Sequence, residues 1–316
     1  MNIVIEKTIY SRAPALFDAA AEKHGFKWLM IQPLEEEKAL QFHNEQNAAA
    51  FIIGTKKYSP EFFKSLRTGT LIQRFGVGYT SVPIELCKEL NLPVGYTPGV
   101  LETAVAEHAI ALICALSRTV CTFDREMKNG TWNKIEGREL RGKILALIGF
   151  GRIAREAAKI AKSGFGMKIS ACDIVAPADD LADDFFTDMN QCIAGADYIS
   201  LHLPGTPQTD KIVNADFIKK MKPSAFLINT ARGSLVDEPA LFSALKEKRI
   251  AGAALDVFAK EPYEVIGAAD LRTLDNCILT PHCASNTAEA NTRMAEICIA
   301  NCVALAGGKN LILIPG

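Results

Sequence analysis

Three residues whose side chains can hold an anion or transfer a proton occur in the second half of the chain. Arg232, Glu261 and His282 each follow one of three successive apolar runs that are typical of buried strands. Because ligands of doubly wound sheets bind beyond the carboxyl ends of the strands, these side chains are expected to meet at one edge. Taken singly, they are equally well explained as a surface ion pair, a solvated loop acid and a loop histidine. Taken together, they predict an active site that combines a guanidinium, a carboxylate and an imidazole.

A glycine-rich turn precedes these three residues in the chain. The pattern GxGxxA runs from Gly149 to Ala154, between an apolar run and a predicted helix. Gly149 permits a tight turn, Gly151 lets the backbone approach a pyrophosphate, and the small Ala154 allows the helix to pack closely on the strand. The helix N-terminus supplies N–H groups and the positive end of the helix dipole. The pattern predicts a dinucleotide site, with a ligand-free strand–helix turn as the alternative.

An acidic residue follows the turn at the spacing typical of a ribose ligand. Asp173 comes about 20 residues after Gly151, at the end of the next predicted strand. A carboxylate accepts hydrogen bonds from the adenosine 2′-hydroxyl and repels a 2′-phosphate. The residues 174–176 that follow contain no Arg or Lys to bind such a phosphate. The predicted cofactor is therefore NAD rather than NADP.

Short apolar runs alternate with longer amphipathic segments along most of the chain, and this alternation predicts the elements that must position these residues. The predicted strands are Ile3–Ile5, Ala50–Ile53, Leu71–Arg74, Pro93–Gly95, Ile144–Ile148, Lys168–Cys172, Tyr198–Leu201, Ala225–Asn229, Gly252–Leu255 and Cys277–Leu279. The predicted helices are Ala13–Lys23, Glu61–Arg67, Ile84–Leu90, Glu102–Arg118, Ile153–Ser163, Glu238–Glu247 and Thr287–Leu305. This alternation of strands and helices predicts the α/β class, with doubly wound parallel sheets covered by helices on both faces.

Composition excludes several other classes of protein. The 316 residues correspond to about two domains, and 35 basic against 36 acidic residues leave no basic field for nucleic acid. No apolar run approaches the roughly 20 residues of a membrane-spanning helix, so no membrane partner is expected. The nine cysteines contain no CxxC pair, and neither they nor the five histidines show metal-ligand spacing. Free thiols in a reducing cytoplasm are the expectation.

The motifs resemble those of the D-isomer-specific 2-hydroxyacid dehydrogenase family, and within it the phosphoglycerate dehydrogenase-like group. The resemblance covers nearly the whole chain. It also rests on Thr97-Pro98-Gly99, Val105-Ala106-Glu107-His108, Gly130-Thr131-Trp132, Leu201-His202-Leu203-Pro204, Asn229–Gly233 and Ala254–Phe258. It implies that Arg232, Glu261 and His282 are catalytic and that Asp256 lies on the nicotinamide side of NAD. The residues expected to bind the cofactor are Gly149, Gly151, Arg152, Ile153, Asp173, His202, Pro204, Thr230, Ala231 and Asp256.

The resemblance also implies an architecture. Two similar doubly wound lobes, Rossmann- or flavodoxin-like, are expected to hold the active site in the cleft between them. An NAD-binding domain is expected over residues 102–283, and a substrate-binding domain over residues 1–101 plus 284–316. A homodimer is implied, built largely through residues 102–140, and this would explain the long apolar helix predicted from Glu102.

The implied reaction is hydride transfer between NAD and a D-2-hydroxy acid or its 2-oxo acid. Protonated His282 is expected to give a proton to the developing alkoxide, while Glu261 holds the other ring nitrogen. Arg232 is expected to hold the substrate carboxylate or carbonyl, since its planar fork suits oxygen pairs. The backbone N–H groups of the loop Gly76-Val77-Gly78 are expected to take the other carboxylate oxygen. The alternative is an NAD(H)-sensing regulatory or corepressor-like protein on the same fold, which a turnover assay separates from an enzyme.

Two departures from the family pattern bear on the substrate. After Gly78 the chain continues Tyr79-Thr80-Ser81, where many members carry an Asp-Asn pair, so phosphoglycerate, hydroxypyruvate, glyoxylate and bulkier 2-oxo acids stay open. After His282 many members have a glycine, whereas this chain continues Cys283-Ala284. Lys56 and Lys57 lie in a loop that the resemblance places at the distal end of the substrate. Lys56 is either a ligand of a substrate phosphate or, like Lys57, a solvated loop charge.

Overall fold

The computed structural model describes residues 1–176 and 179–314 and divides into two compact units. Unit 1 comprises Met1–Leu101 together with the described residues from Asn286 onward, and unit 2 comprises Glu102–Ser285. The sequence predicts the end of the second domain at residue 283, and unit 2 ends at Ser285. Residues 177–178 and 315–316, which belong to the two expected domains, lie outside the described residues.

Unit 1 is built on a parallel sheet with the strand order β2-β1-β3-β4-β5, which is the flavodoxin-like order. Its strands are β1 (Asn2–Glu6), β2 (Lys27–Ile31), β3 (Ala50–Ile53), β4 (Leu71–Arg74) and β5 (Val94–Gly95). Its first helices are α1 (Lys7–Tyr10), α2 (Pro14–His24), α3 (Glu36–Glu45), α4 (Pro60–Lys64) and α5 (Ile84–Glu89). Phe51 on β3 packs with Phe62 and Phe63 of α4, all of them fully buried. Burying each such side chain contributes roughly 1.5–3 kcal/mol, so the sheet core holds the loops at its edge in place.

Unit 2 contains a second parallel sheet, with the order β12-β11-β10-β9-β6-β7-β8. Its strands are β6 (Ile144–Ile148), β7 (Lys168–Cys172), β8 (Asp184–Phe186), β9 (Tyr198–Leu201), β10 (Phe226–Asn229), β11 (Gly252–Leu255) and β12 (Cys277–Leu279). Its helices are α6 (Glu102–Ser117), α7 (Val120–Lys128), α8 (Arg152–Phe165), α9 (Met189–Ala194), α10 (Ala215–Lys219) and α11 (Glu238–Lys246). The last helix of the chain, α12 (Ala288–Ala306), belongs to unit 1 and contacts α2 and β4.

The strand order of unit 2 reverses between β6 and β9, which pair with each other on either side of the reversal. Helices leave opposite faces of the sheet at such a point and open a crevice at the carboxyl ends of the strands. The two helices that flank this region, α6 and α8, pack against one another. Buried alanines on α8, Ala154, Ala157, Ala158 and Ala161, permit that close packing. The fold class expected from the sequence is confirmed.

Among the elements of the described residues, two strands and five α-helices were not predicted from the sequence. The strands β2 and β8 are the outermost strands of the two sheets, and β8 has only three residues. The helices α1, α9 and α10 are four to six residues long, while α3 and α7 are longer amphipathic segments. The predicted helix from Glu102 is α6, whose buried face belongs to the core of unit 2.

Within the described residues, no helix taken singly has the length and apolar character needed to cross a membrane. The consecutive helices α6 and α7 meet that criterion only when counted together, and the chain bends by 62° at the break between them.

Candidate active site

His282 and Glu261 form a hydrogen-bonded pair beyond the carboxyl ends of β11 and β12. His282 Nδ1 donates to Glu261 Oε2 at 2.6 Å, and the N–H of Phe258 donates to Glu261 Oε1 at 3.1 Å. Burial raises the pKa of Glu261, but the hydrogen bond and charge of His282 and the N–H of Phe258 outweigh burial and lower it overall. Within residues 1–176 and 179–314, His282 Nε2 makes no hydrogen bond. An ionised Glu261 therefore keeps a proton on Nδ1 and leaves Nε2 for exchange with a substrate.

Asp256, which follows β11, is fully buried at the centre of a second network. Its Oδ1 accepts from the Thr280 hydroxyl at 2.5 Å and from the N–H of Cys283 at 2.9 Å, while Oδ2 accepts from the N–H of Ala284 at 2.9 Å. His108 Nε2 of α6 lies 3.6 Å from Oδ1. Burial raises the pKa of Asp256, but these donors outweigh burial and lower it overall. Asp256 is therefore an ionised group that anchors the loop containing His282.

Arg232 lies in the loop after β10, half-buried. Its Nη1 donates to the Ala231 carbonyl at 2.6 Å, and the Asn229 side chain donates to the Arg232 carbonyl at 2.8 Å. Burial lowers the pKa of Arg232, and the negative charge of Glu261 opposes that effect. Because a guanidinium stays protonated at physiological pH, Arg232 is a fixed cation in the field of Glu261. The structure thus brings all three predicted catalytic residues to one edge of the unit 2 sheet.

Two contacts hold the loop of Glu261 against the loop of Arg232. A Cβ on Gly233 would lie 1.9 Å from the carbonyl carbon and oxygen of Phe258 and 2.5 Å from the nitrogen of Ala259. Only glycine therefore permits this approach of two backbones. The buried carboxylate of Glu238, on α11, accepts from the N–H of Ala259 at 2.7 Å. Burial raises the pKa of Glu238, and that hydrogen bond opposes the rise.

The glycine-rich turn connects β6 to α8. Gly149 has a φ of 88° and a Cβ there would lie 2.9 Å from the carbonyl of His202, so glycine is required on both grounds. Gly151 is the N-cap of α8, and a Cβ on it would meet no atom of the described residues within 4 Å. Ala154 is fully buried in the core of unit 2. Gly151 therefore leaves space beside the N-terminus of α8, as a pyrophosphate site requires.

Asp173 follows β7 directly and lies beside that turn. Its Oδ2 accepts from the N–H of Phe150 at 2.7 Å, and its Oδ1 accepts from the N–H of Ile174 at 2.7 Å. Arg155, one turn into α8, stacks over the Phe150 ring at 5.1 Å and forms an ion pair with Asp179. The guanidinium of Arg155 is thus already paired with a carboxylate.

Further predicted cofactor residues lie beyond β9. The backbone N–H of His202 donates to the Ile148 carbonyl at 2.8 Å, and its ring Nε2 lies 3.0 Å from the Ser200 hydroxyl. Burial lowers the pKa of His202 to about 4, so this imidazole is neutral at physiological pH. Pro204 continues the same loop, and its carbonyl accepts from the Thr209 hydroxyl at 2.7 Å.

The remaining predicted cofactor residues lie at β10 and at the start of α8. Thr230 is buried, and its hydroxyl has no hydrogen-bond partner among the residues that the structure describes. The N–H of Ala231 donates to the side-chain oxygen of Asn229 at 3.0 Å. Arg152 is exposed, with Nη1 at 3.9 Å from a Glu102 carboxylate oxygen, and the neighbouring Ile153 is half-buried.

The predicted substrate residues all lie in unit 1. Gly76 has a φ of 140°, and a Cβ there would lie 3.0 Å from both terminal nitrogens of Arg74, so the loop after β4 rests on that guanidinium. Among described atoms, the N–H groups of Val77 and Gly78 have no hydrogen-bond acceptor. Lys56, in the loop after β3, is half-buried and forms no salt bridge with a described residue.

Comparison with known proteins identifies the family. The model of the D-isomer specific 2-hydroxyacid dehydrogenase NAD binding domain matches residues 110–284. A glyoxylate reductase of Thermofilum pendens is 37% identical over 286 residues, which cover 88% of this chain and 83% of the relative. The chain belongs to the D-isomer specific 2-hydroxyacid dehydrogenase family. It is an NAD-dependent enzyme that interconverts a D-2-hydroxy acid and its 2-oxo acid by hydride transfer.

Two further members show how widely the match extends. A hydroxypyruvate reductase of Thermotoga maritima is 36% identical and covers 83% of this chain and 85% of its own length. The D-lactate dehydrogenase of Lactobacillus jensenii, solved with NAD⁺, superposes with a TM-score of 0.80 at 27% identity and covers 100% of both chains. These findings confirm the family resemblance, and none of them favours the NAD(H)-sensing alternative.

The residues of unit 2 fit the NAD that this family uses. Open space in front of Gly151 and the helix N-terminus suits a pyrophosphate, and the carboxylate of Asp173 suits a ribose. The buried hydroxyl of Thr230 lacks a hydrogen-bond partner among the described atoms, as expected of a group that binds a ligand.

Several residues at this dehydrogenase site were not assigned a role from the sequence. His108, Thr280 and Ala284 surround Asp256, and Glu238 supports the loop of Glu261. Thr280 and Ala284 follow β12, which pairs with β11, so their proximity to Asp256 agrees with the parallel sheet. The sequence contains no signal that His108 or Glu238 lies beside these loops, because the helices that carry them are distant in the chain. A weak signal existed for Cys283 and Ala284, because many family members have a glycine after the histidine and this chain has these two residues instead.

Proposed function

We propose that this dehydrogenase reduces a small 2-oxo acid, such as glyoxylate or hydroxypyruvate, with NADH. The observation that carries the proposal is the 2.6 Å hydrogen bond from His282 Nδ1 to Glu261, which leaves Nε2 as a proton donor at the same sheet edge as Arg232. The names of two relatives, a glyoxylate reductase and a hydroxypyruvate reductase, support this choice of substrate.

In the proposed mechanism, bound NADH supplies the hydride. Protonated His282 holds a proton at Nε2 and gives it to the oxygen of the substrate carbonyl as negative charge develops there. Glu261 keeps the imidazole oriented through Nδ1 and stabilises its cationic form. A positioned acid of this kind contributes about 10²–10⁴-fold to the rate.

Arg232 is proposed to bind the substrate carboxylate, because its two terminal nitrogens match a pair of oxygens. The free N–H groups of Val77 and Gly78 are proposed to donate hydrogen bonds to a negatively charged oxygen of the substrate, as successive backbone donors often do. In this proposal, residues 1–101 supply substrate contacts and residues 102–283 bind NAD.

The cofactor is proposed to lie along the carboxyl edge of the unit 2 sheet. The pyrophosphate is assigned to Gly149, Gly151 and the first turn of α8 with Arg152 and Ile153. The adenosine ribose is assigned to Asp173. The nicotinamide half is assigned to the loops that carry His202, Pro204, Thr230, Ala231 and Asp256.

A preference for NADH over NADPH is the first expected result. The carboxylate of Asp173 repels a 2′-phosphate, and Arg155 nearby is already paired with Asp179. The value of kcat/KM with NADPH is expected to be at least about 10-fold below that with NADH, which corresponds to about 1.4 kcal/mol. Asp173→Asn, which removes only the charge, should reduce the difference in kcat/KM between NADH and NADPH. Equal use of both cofactors by the wild-type enzyme would refute this role of Asp173.

Replacement of Glu261 by glutamine is expected to move the alkaline limb of the kcat profile for 2-oxo acid reduction to lower pH. The reaction consumes the protonated imidazole, and the cation loses its anionic partner when Glu261 becomes neutral. Steady-state rates across pH 5–9 measure the shift. Glu264→Gln is the matched control, since Glu264 is exposed and pairs with Lys260 instead. An unchanged profile for Glu261→Gln would show that the pair has no catalytic role.

The substrate is tested by NADH oxidation across a panel of 2-oxo acids. Glyoxylate and hydroxypyruvate are expected to have the highest kcat/KM, ahead of 3-phosphohydroxypyruvate. Lys56→Ala and Lys57→Ala are compared on hydroxypyruvate with and without the phosphate. A selective rise in KM for the phosphorylated acid in Lys56→Ala would assign Lys56 to a phosphate site and overturn the choice of a small substrate. Activity with none of the panel would overturn the proposed reaction.

The enzyme is proposed to act as a homodimer in the cytoplasm. Exposed apolar side chains cluster in and after α7, where Val120 and Met127 are each 53% exposed and Trp132 is 78% exposed. Exposed apolar patches of this kind commonly mark protein interfaces. Among the described residues all nine cysteines are free thiols, which is consistent with a reducing compartment. Sedimentation equilibrium at twice the chain mass is the expected result, and a monomer at micromolar concentration would refute the dimer.

A further inference from the structure

A histidine, a carboxylate and a thiol meet beside the catalytic pair. The ligand atoms of His108, Asp256 and Cys283 all lie within 4.8 Å of one another. His108 Nε2 is 3.6 Å from Asp256 Oδ1, and Cys283 Sγ is 3.5 Å from the same oxygen. His108 comes from α6, whereas the other two come from the loops after β11 and β12. We propose that these three residues form a site for a thiophilic divalent cation, Zn²⁺ in particular, which inhibits the enzyme.

The spacing of the donor atoms matches the demands of zinc. With a Zn–O bond of about 2.0 Å and a Zn–S bond of about 2.3 Å, two tetrahedral ligands lie about 3.5 Å apart; an oxygen and a nitrogen ligand lie about 3.3 Å apart. The measured Asp256–Cys283 and Asp256–His108 distances are 3.5 and 3.6 Å. The third pair, His108 Nε2 and Cys283 Sγ, lies within 4.8 Å, so rotation of these two side chains towards each other completes the set of distances that a tetrahedral cation needs.

The chemical types of the donors select the cation. One thiolate, one imidazole and one carboxylate form a set that Zn²⁺ accepts, whereas Mg²⁺ and Ca²⁺ prefer oxygen ligands alone. Three protein ligands leave the fourth position of a tetrahedron to water.

The carboxylate is already held as a metal ligand is usually held. Asp256 Oδ2 accepts from the N–H of Ala284 at 2.9 Å, and Oδ1 accepts from the N–H of Cys283 at 2.9 Å, so the plane of the carboxylate is oriented from both sides. A cation on Oδ1 replaces the 2.5 Å hydrogen bond from the Thr280 hydroxyl. Such supporting hydrogen bonds are typical of metal sites. The His108 side chain is 23% exposed and Cys283 is half-buried, so within unit 2 the two outer ligands are reachable from solvent.

Binding exchanges protons in a defined way. As the Zn–S bond forms, the Cys283 thiol releases its proton to solvent, because the thiolate is the ligand. His108 binds the cation through Nε2, so the proton with which Nε2 donates in the metal-free enzyme leaves to solvent and the bound ring carries its proton on Nδ1. The Thr280 hydroxyl, which lies 3.2 Å from His108 Nε2, gives up that contact. No electron is transferred.

Inhibition follows from the position of the cation and rests on the proposed role of Asp256 at the nicotinamide side of the cofactor. A cation on Oδ1 takes the charge that Asp256 otherwise presents to the cofactor. It also binds Cys283, next to His282, and so restrains the loop that carries the catalytic imidazole. Zn²⁺ is therefore expected to compete with NADH.

Cobalt reports on the site without cofactor or substrate. Co²⁺ titrated into the full-length enzyme with a non-thiol reductant is expected to give a thiolate-to-cobalt charge-transfer band and tetrahedral d–d bands, at one equivalent per chain. Cys283→Ala, or Cys283→Ser if the alanine variant is poorly folded, should lose the charge-transfer band. Cys121→Ala is the matched control, since Cys121 is exposed and outside the cluster. Absence of the band, or its persistence in both Cys283 variants, would overturn the site.

Inhibition kinetics with Zn²⁺ test the proposed competition with NADH. Each variant is compared with its own metal-free rate, with chelator reversal as a check. The inhibition constant is expected to rise at least about 10-fold in Cys283→Ala, and in His108→Asn, relative to wild type and Cys121→Ala. Equal inhibition of wild type and Cys283→Ala would overturn inhibition through this site. A Cys283-dependent cobalt band with zinc inhibition that is not competitive with NADH would uphold the cation site and refute the assignment of Asp256 to the cofactor.

Discussion

Replacement of His282 by alanine is expected to lower kcat for 2-oxo acid reduction by about 10²–10⁴-fold while the Kd for NADH stays within a few-fold of wild type. The imidazole acts on the transition state, so its loss should reduce kcat and kcat/KM together. Steady-state kinetics and fluorescence titration with NADH give the two quantities. A lower kcat with an unchanged Kd for NADH indicates loss of a proton donor, whereas a change in both quantities indicates loss of the fold.

His24→Ala is the matched control for this experiment. His24 is an exposed histidine at the end of α2 in unit 1, so its replacement should leave both quantities unchanged. Turnover by His282→Ala near the wild-type rate would remove His282 from the mechanism, however well the pair with Glu261 is formed.

Gly233→Ala is expected to have the second largest effect, on both stability and activity. The new Cβ would lie 1.9 Å from the backbone carbonyl of Phe258, and a backbone cannot rotate away as a side chain can. Overpacking of this kind costs typically about 1–3 kcal/mol. Relief of the clash must move the loop of Glu261 away from that of Arg232. We therefore expect a lower free energy of unfolding in urea and a fall in kcat of about 10²-fold.

Gly164→Ala is the control for this variant. Gly164 lies within α8, and a Cβ there would meet no described atom within 4 Å. An alanine should therefore be neutral or should stabilise the helix by up to about 1 kcal/mol. Wild-type stability and kcat in Gly233→Ala would show that the two loops do not depend on one another.

The central strands of both sheets were predictable because their residues are buried on both faces. The runs Ala50–Ile53 and Ile144–Ile148 are continuous apolar segments, and the structure places strands at those residues. The edge strands β2 and β8 were not predicted. Asp184 at the start of β8 is exposed and the strand has only three residues, so pairing with a neighbour, rather than local sequence, makes it a strand. In β2 the exposed Lys27 precedes an apolar run over residues 28–31 that the prediction did not use.

The positions of the catalytic loops were also predictable, for a topological reason. All strands of a parallel sheet end at the same edge, so residues that directly follow Asn229, Leu255 and Leu279 must lie near one another. The side-chain partners were not predictable. That His282 uses Nδ1 to bind Glu261 depends on the backbone at His282, where φ is 52° and the N–H donates to the Asp256 carbonyl.

The sequence by itself determined the α/β class, the dinucleotide turn at Gly149–Ala154 and the family. Each of these depends on residues that are close together in the chain or that follow the carboxyl ends of strands. Only the tertiary structure decided that His108, Asp256 and Cys283 meet within 4.8 Å and that Gly233 must accommodate the backbone of Phe258. Both depend on how a helix and separate loops pack, to within an ångström, around one sheet. Hydrophobic patterning determines which faces are buried, but the distances between polar atoms at the edge of the sheet follow from close packing of the whole unit.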